Sequence, residues 1–142
     1  MNVLVLNCGS SSAKFAVIDP TTSQQSVAGI AQRLGAPEAT CDWVIDGTKH
    51  SRPISGAHHE EALRAVVALL QELRLAESIV GVGHRVVHGG SRFASSMRIT
   101  PEVIAKVEEC VPLSPLHNPP NLLGIRIAQE LFPGLPQIGV FD

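Results

Sequence analysis

The sequence predicts an α/β domain with a mixed sheet and flanking helices, and three observations carry that expectation. β-prone runs pair around short turns at the start, whereas later strands alternate with helical patterns. The 44% of hydrophobic residues are dominated by Val, Ile, Leu and Ala, with aromatics at only 4%, as suits strands packed under helices. One stretch also repeats its apolar residues with the helical period. A chain of 142 residues fits one ordinary domain and can bury a real core.

Taken in order, Val3 to Leu6 and Phe15 to Ile18 are apolar β runs around a Gly-Ser tip, which reads as a hairpin. Asp19-Pro20 breaks the second run. Ser26 to Ala31 and Cys41 to Ile45 read as further short strands, joined through Gly35-Ala36-Pro37 and followed by an Asp46-Gly47 turn. His58 to Leu75 is the clearest helix. Leu63, Val66, Val67, Leu70 and Leu73 form one apolar stripe, with Glu60 and Glu61 at its start and Arg74 near its end, as the helix dipole favours. Ile79-Val80-Gly81-Val82 is a continuous apolar run of the kind buried on both faces. Thr100-Pro101 supplies an N-cap and an N1 proline for a helix to about Glu109. Asn118-Pro119 repeats that signal for a helix through Leu131, stopped by Pro133-Gly134. Gln137 to Phe141 is the last strand, and a strand abutting the final residue, Asp142, predicts that the chain is a fragment.

Composition excludes several function classes. A net charge of −2 with no basic run offers nucleic acid no electrostatic attraction. Cys8, Cys41 and Cys110 are scattered, with neither a disulfide framework nor a CxxC metal site, which points to a reducing cytoplasm. Val5-Leu6-Asn7-Cys8 before Gly-Ser-Ser faintly suggests a lipoprotein cleavage site. However, no basic residue precedes it and the apolar run is too short for a signal segment. No segment is long enough to span a membrane.

The polar tip Asn7-Cys8-Gly9-Ser10-Ser11-Ser12-Ala13-Lys14 is unusual between two apolar strands. Its backbone N–H groups and hydroxyls could form a concave nest for an anion, phosphate above all, with Lys14 adding a point charge. It is not a P-loop, because no second glycine precedes the lysine. The competing reading is a flexible serine turn with a surface lysine. Arg85 and His88 directly follow the Ile79–Val82 run, and Asp142 follows the last strand, so all three should lie at the carboxyl edge of the sheet, where α/β ligands bind. A guanidinium there suits a carboxylate or phosphate. The alternatives are an ion pair for Arg85, a turn histidine for His88 and plain solvent exposure for Asp142. In Ser114-Pro115-Leu116-His117-Asn118-Pro119-Pro120, Asn118 and the prolines serve the helix start, whereas His117 has no local role. His84, His88 and His117 do not carry zinc spacing.

NCGSSSAKFAVID, GHRVVHGG, SPLHNPPNLLGI and the terminal GVFD, in that order, resemble the acetate kinases, the acetate-and-propionate kinase family. The motifs run from Asn7 to Asp142. The first alone is shared more widely in the sugar kinase–Hsp70–actin superfamily, whose other members usually carry Asp in place of Asn7. The resemblance implies a ribonuclease-H-like (actin-like ATPase) fold, with residues 1–142 as an N-terminal domain truncated at its C-terminal end. It also implies reversible transfer of a phosphoryl group from ATP to acetate, with Mg²⁺, by a cytoplasmic enzyme that is a homodimer at full length.

By the same resemblance, Asn7 would help hold the magnesium, Ser10 and Ser12 with the intervening amides would face the phosphates, and Lys14 would contact the nucleotide's phosphate tail. Arg85 would bind the acetate carboxylate, and Val87 and Leu116 would wall its methyl group. His117 would donate a hydrogen bond to the transferring phosphoryl group. Asp142 matches the family's active-site aspartate; acetate has no proton to lose at neutral pH, so aligning substrate or metal suits it better than general-base work. The adenosine loops, a second arginine, a second histidine and a metal-binding glutamate of the family lie beyond residue 142, so the chain alone is expected to be inactive. The alternatives are a propionate kinase, a non-catalytic nucleotide- or anion-binding module of the actin-like superfamily, and a structural or regulatory half-domain.

Overall fold

A computed structural model of the chain describes residues 1–86, 97–109 and 118–141. Its strands are β1 (Asn2–Cys8), β2 (Ser12–Ile18), β3 (Gln25–Gln32), β4 (Thr40–Ile45), β5 (Thr48–Pro53), β6 (Ile79–Val86), β7 (Met97–Arg98) and β8 (Gln137–Phe141). The helices are α1 (His59–Glu72), α2 (Pro101–Glu109) and α3 (Asn118–Leu131). The strands form one sheet in the order β5-β4-β3-β2-β1-β6-β8-β7. β1 to β5 pair antiparallel, whereas β6 runs parallel to β1 and β8 parallel to β6. The mixed sheet with helices is thus the expected α/β architecture.

Alternation along each strand sends one set of side chains toward the helices. Leu4, Leu6, Phe15, Val17 and Val27 meet Leu63, Val66 and Leu70 of α1 and Ile127 of α3 in one core cluster. Leu70 is fully buried, and each such side chain contributes about 2 kcal/mol relative to exposure. A smaller cluster, Ile99, Val107, Leu122 and Ile125, ties α2 to α3.

Several expectations are corrected. The expected stripe does bury Leu63, Val66 and Leu70, with Ala62 and Leu69 beside them, but α1 ends at Glu72 with Leu73 as its C-cap. Arg74 lies outside it at φ 59°, so it does not serve the helix dipole. The run Ile79–Val82 is not buried on both faces: Val80 is 42% exposed, because no described helix covers that face of β1, β6 and β8. The strand also runs on to Val86, so Arg85 sits inside β6 and does not follow it. β5 and β7 were not expected. Asp46 and Gly47, at φ 50° and 77°, do form the expected turn, and that turn starts a hairpin. At the start of α2 the Thr100 hydroxyl accepts from the Val103 N–H at 3.2 Å, as its N-cap role requires.

Candidate active site at the carboxyl edge of the sheet

The polar tip is narrower than its sequence suggests. Only Gly9-Ser10-Ser11 lie outside the ladder, while Asn7 belongs to β1 and Ser12 and Lys14 to β2. The turn is closed by the Gly9 N–H donating to the Ser12 carbonyl at 2.9 Å. Three further carbonyls around it are also bonded. The Cys8 oxygen accepts from Asn121 Nδ2 at 2.7 Å, the Gly9 oxygen from His59 Nε2 at 2.6 Å, and the Ser11 oxygen from the Leu34 N–H at 3.0 Å. The amide N–H groups of Ser10 and Ser11 make no hydrogen bond among the described residues. Both residues are exposed. With the carbonyls of Cys8, Gly9 and Ser11 bound and the amides of Ser10 and Ser11 open, the tip presents a positive potential to an incoming anion.

Register then sets three side chains in line. Asn7 lies directly opposite Lys14. The β1–β6 ladder runs to Leu6 opposite His84, so one further step brings Arg85 beside Asn7. Because Leu6 and His84 are buried on the helix side, Asn7, Lys14 and Arg85 occupy the opposite, open face. With strands about 4.8 Å apart, the row Lys14–Asn7–Arg85 spans about 10 Å. Lys14 and Arg85 are both exposed and Asn7 is half-buried. The tip and the end of β6 lie at the carboxyl ends of parallel neighbours, so the structure brings Asn7, Ser10, Ser12, Lys14 and Arg85 to one edge of the sheet. Beside Arg85 runs an apolar trough of about 650 Å³ that includes Val3, Val5, Val80 and Ile138. Val87, Leu116, His117 and Asp142, together with His88, lie outside the described residues.

The donor set decides what could be held here. Two cations and two open amides favour an anion with several oxygens, for which a lysine acts as point charge and an arginine as a fork. Among the described residues no cluster of three or more His, Cys, Asp or Glu side chains could hold a metal by itself. The amide oxygen of Asn7 fits a hard cation such as Mg²⁺ only if phosphates and water supply the other ligands, which is how that ion commonly binds.

His84 is part of the core. Its ring, 4% exposed, lies with Nε2 2.6 Å from Gln137 Oε1, and burial pushes its pKa down from 6.5 to about 4. Because the folded value is below the unfolded one, the unfolded chain binds the extra proton between those values. Stability is therefore lost as pH falls from about 6.5 toward 4, by about 3 kcal/mol from this group. Urea denaturation at pH 4.5 and 7 checks this; the His84→Asn variant should lose that part of the slope, and an unchanged slope would contradict it.

His59 and Asn121 were not singled out by sequence reasoning. Their partners are 50 and 113 positions away, and no local pattern reveals such contacts. The one available signal was His59 itself, a polar residue opening a helix just after the position that does the capping.

Known proteins share this arrangement of chain. The family model for the acetokinase family matches residues 2–142. Acetate kinase from Deinococcus radiodurans is 46% identical over 142 residues, which is 100% of this chain and 36% of that protein. Acetate kinase 2 from Vibrio cholerae is also 46% identical, covering 99% of this chain and 36% of its own length. A crystal structure of a propionate kinase from Francisella tularensis superposes with a TM-score of 0.96 at 40% identity, over 99% of this chain and 36% of that one. The Porphyromonas gingivalis acetate kinase structure gives 0.93 at 42% identity, over 99% and 37%. The chain thus spans about 36% of the length of the curated relatives it matches, and its fold is that of the acetate and propionate kinases, the actin-like ATPase fold. Matched over nearly its whole length by that family model, the chain belongs to the acetokinase family.

Proposed function

We propose that this chain supplies the phosphate-clamping N-terminal lobe of an acetate kinase, residues 1–142 belonging to a ribonuclease-H-like domain. The complete enzyme would transfer a phosphoryl group reversibly between ATP and acetate. The observation that carries this reading is the open tip beside the row Lys14–Asn7–Arg85 on one exposed face.

In the proposed mechanism the N–H groups of Ser10 and Ser11 and the hydroxyls of Ser10 and Ser12 receive the phosphate oxygens, and Lys14 neutralises their charge. Arg85 orients the acetate carboxylate by its two-pronged fork, with Val87 and Leu116 against the methyl group. His117 donates a hydrogen bond to the moving phosphoryl group, and Asp142 aligns substrate or metal. Asn7 offers its amide oxygen to Mg²⁺; bound there, the ion would neutralise charge on the phosphates. The chain's own contribution is positioning and charge, which is most of what phosphoryl transfer requires. The proposed setting is the cytoplasm, with a homodimer as the complete enzyme. Among the described residues no helix is long and apolar enough to cross a membrane.

The Francisella propionate kinase match favours a second reading, propionate as acceptor. The two substrates differ by one methylene, worth about 0.8 kcal/mol when buried, so the wall at Val87 and Leu116 would decide between them.

Calorimetric titration with Mg·ATP tests the clamp. Lys14→Ala is expected to weaken binding by about 10- to 100-fold, the usual range for losing a charge-assisted hydrogen bond. Lys49→Ala, on the far edge strand β5, should leave it unchanged. Equal affinity of Lys14→Ala and the parent chain would refute the clamp.

A further inference from the structure

We infer that His59, supported by Asn121, is a positioning residue that turns the tip's amides outward to meet phosphate. The inference rests on the phosphate-clamp reading and adds the groups that hold the clamp open.

In a trans peptide the carbonyl of one residue and the N–H of the next point in opposite directions. The Gly9 carbonyl and the Ser10 N–H belong to one such plane. His59 Nε2 lies 2.6 Å from the Gly9 oxygen, and a carbonyl can only accept, so this nitrogen carries the proton and donates it. Drawing the Gly9 oxygen toward the first turn of α1 therefore aims the Ser10 N–H away from the protein. Rotation of that plane would reverse the dipole and set a carbonyl oxygen toward the phosphate. Nothing in a Gly-Ser-Ser sequence prevents that rotation, since glycine permits most backbone angles.

Asn121 fixes the adjoining plane. Its side chain, 3% exposed, donates to the Cys8 oxygen at 2.7 Å and leaves the Gly9 N–H to close the turn onto Ser12. The Cys8 carbonyl would otherwise be an unpaired buried acceptor, which costs more than an ordinary hydrogen bond contributes. One turn further along α3, a Cβ on Gly124 would stand 2.7 Å from Cys8 Sγ, so glycine there lets the helix come close enough for Asn121 to reach. Two helices distant in sequence thus grip successive carbonyls where β1 enters the tip.

A merely structural contact would change stability alone. Three forms of the chain separate the roles: the parent, His59→Ala and His59→Gln, whose amide can still donate to the Gly9 oxygen. Mg·ATP affinity is measured by calorimetry, and the ligand-free Ser10 amide by NMR position and solvent exchange. His59→Ala is expected to bind about tenfold more weakly and His59→Gln within about twofold of the parent, a difference matching one hydrogen bond. The Ser10 signal should move and exchange faster in His59→Ala only. Parent-like binding by His59→Ala, or equal losses in both variants, would overturn the inference. If the parent itself fails to bind Mg·ATP, the clamp reading falls; the ligand-free Ser10 signal then still decides the positioning role, and an identical signal in all three forms overturns it.

Discussion

The 142-residue chain, given ATP, Mg²⁺ and acetate, is expected to form acetyl phosphate no faster than buffer alone, although it binds Mg·ATP. The reason is geometric. The transferring phosphoryl group spreads negative charge over its equatorial oxygens while two further oxygens lie in line with it, so stabilisation must come from more than one side. The described residues offer one wall: Lys14 and Arg85 on a single sheet face, with the tip amides at its edge. Partial neutralisation binds the ground state, and uniform binding does not raise the chemical rate. Trapping the product as its hydroxamate measures the outcome. Turnover near the ~1 s⁻¹ low end for kinases would show that this wall suffices.

Gly29→Ala is expected to destabilise the chain by about 3 kcal/mol, the upper end for overpacking. Gly29 faces Phe15 across β2 and β3 and Trp43 across β3 and β4. A Cβ there would overlap the carbonyl oxygen of Asp42 and stand 2.5 Å from Cζ of Phe15. The aromatic ring can tilt, but the backbone oxygen is held by the ladder. Phe15→Leu should therefore cost less in the Gly29→Ala background than alone, without restoring the parent's stability. Urea denaturation of the four forms reads both effects. A loss below about 0.5 kcal/mol, the usual size of a neutral change, would mean that the register of β3 is not the one described.

The features legible in sequence were those with a local cause. The α1 stripe, the Asp46-Gly47 turn and the Thr100 cap follow from residues a few positions apart. β5 was hidden because its residues, Thr48 to Pro53, are all exposed and carry no alternation. It is held by pairing with β4, by His50 stacked on Trp43 at 5.4 Å, and by Arg52 bridging to Glu72 at 2.9 Å. β7 is too short for any pattern. Val80 looked buried because apolar runs do not reveal which face a helix covers.

The site divides in the same way. Asn7 and Lys14 stand out as polar residues in apolar strands, and hairpin register makes them neighbours. Arg85 was placed at the right edge, though one strand segment too late. His59 and Asn121 escaped, because contacts across 50 and 113 positions exist only after the helices dock.

The central claim is that the Gly9-Ser10-Ser11 tip and the row beside it receive phosphate. Titrating the ¹⁵N-labelled chain with Mg·ATP tests it most directly. The Ser10 and Ser11 amides, with Lys14 and Arg85, should shift together along one saturating curve, while residues Thr48 to Pro53 remain still. A tip that does not move at saturating nucleotide, or a response confined to another surface, would contradict it.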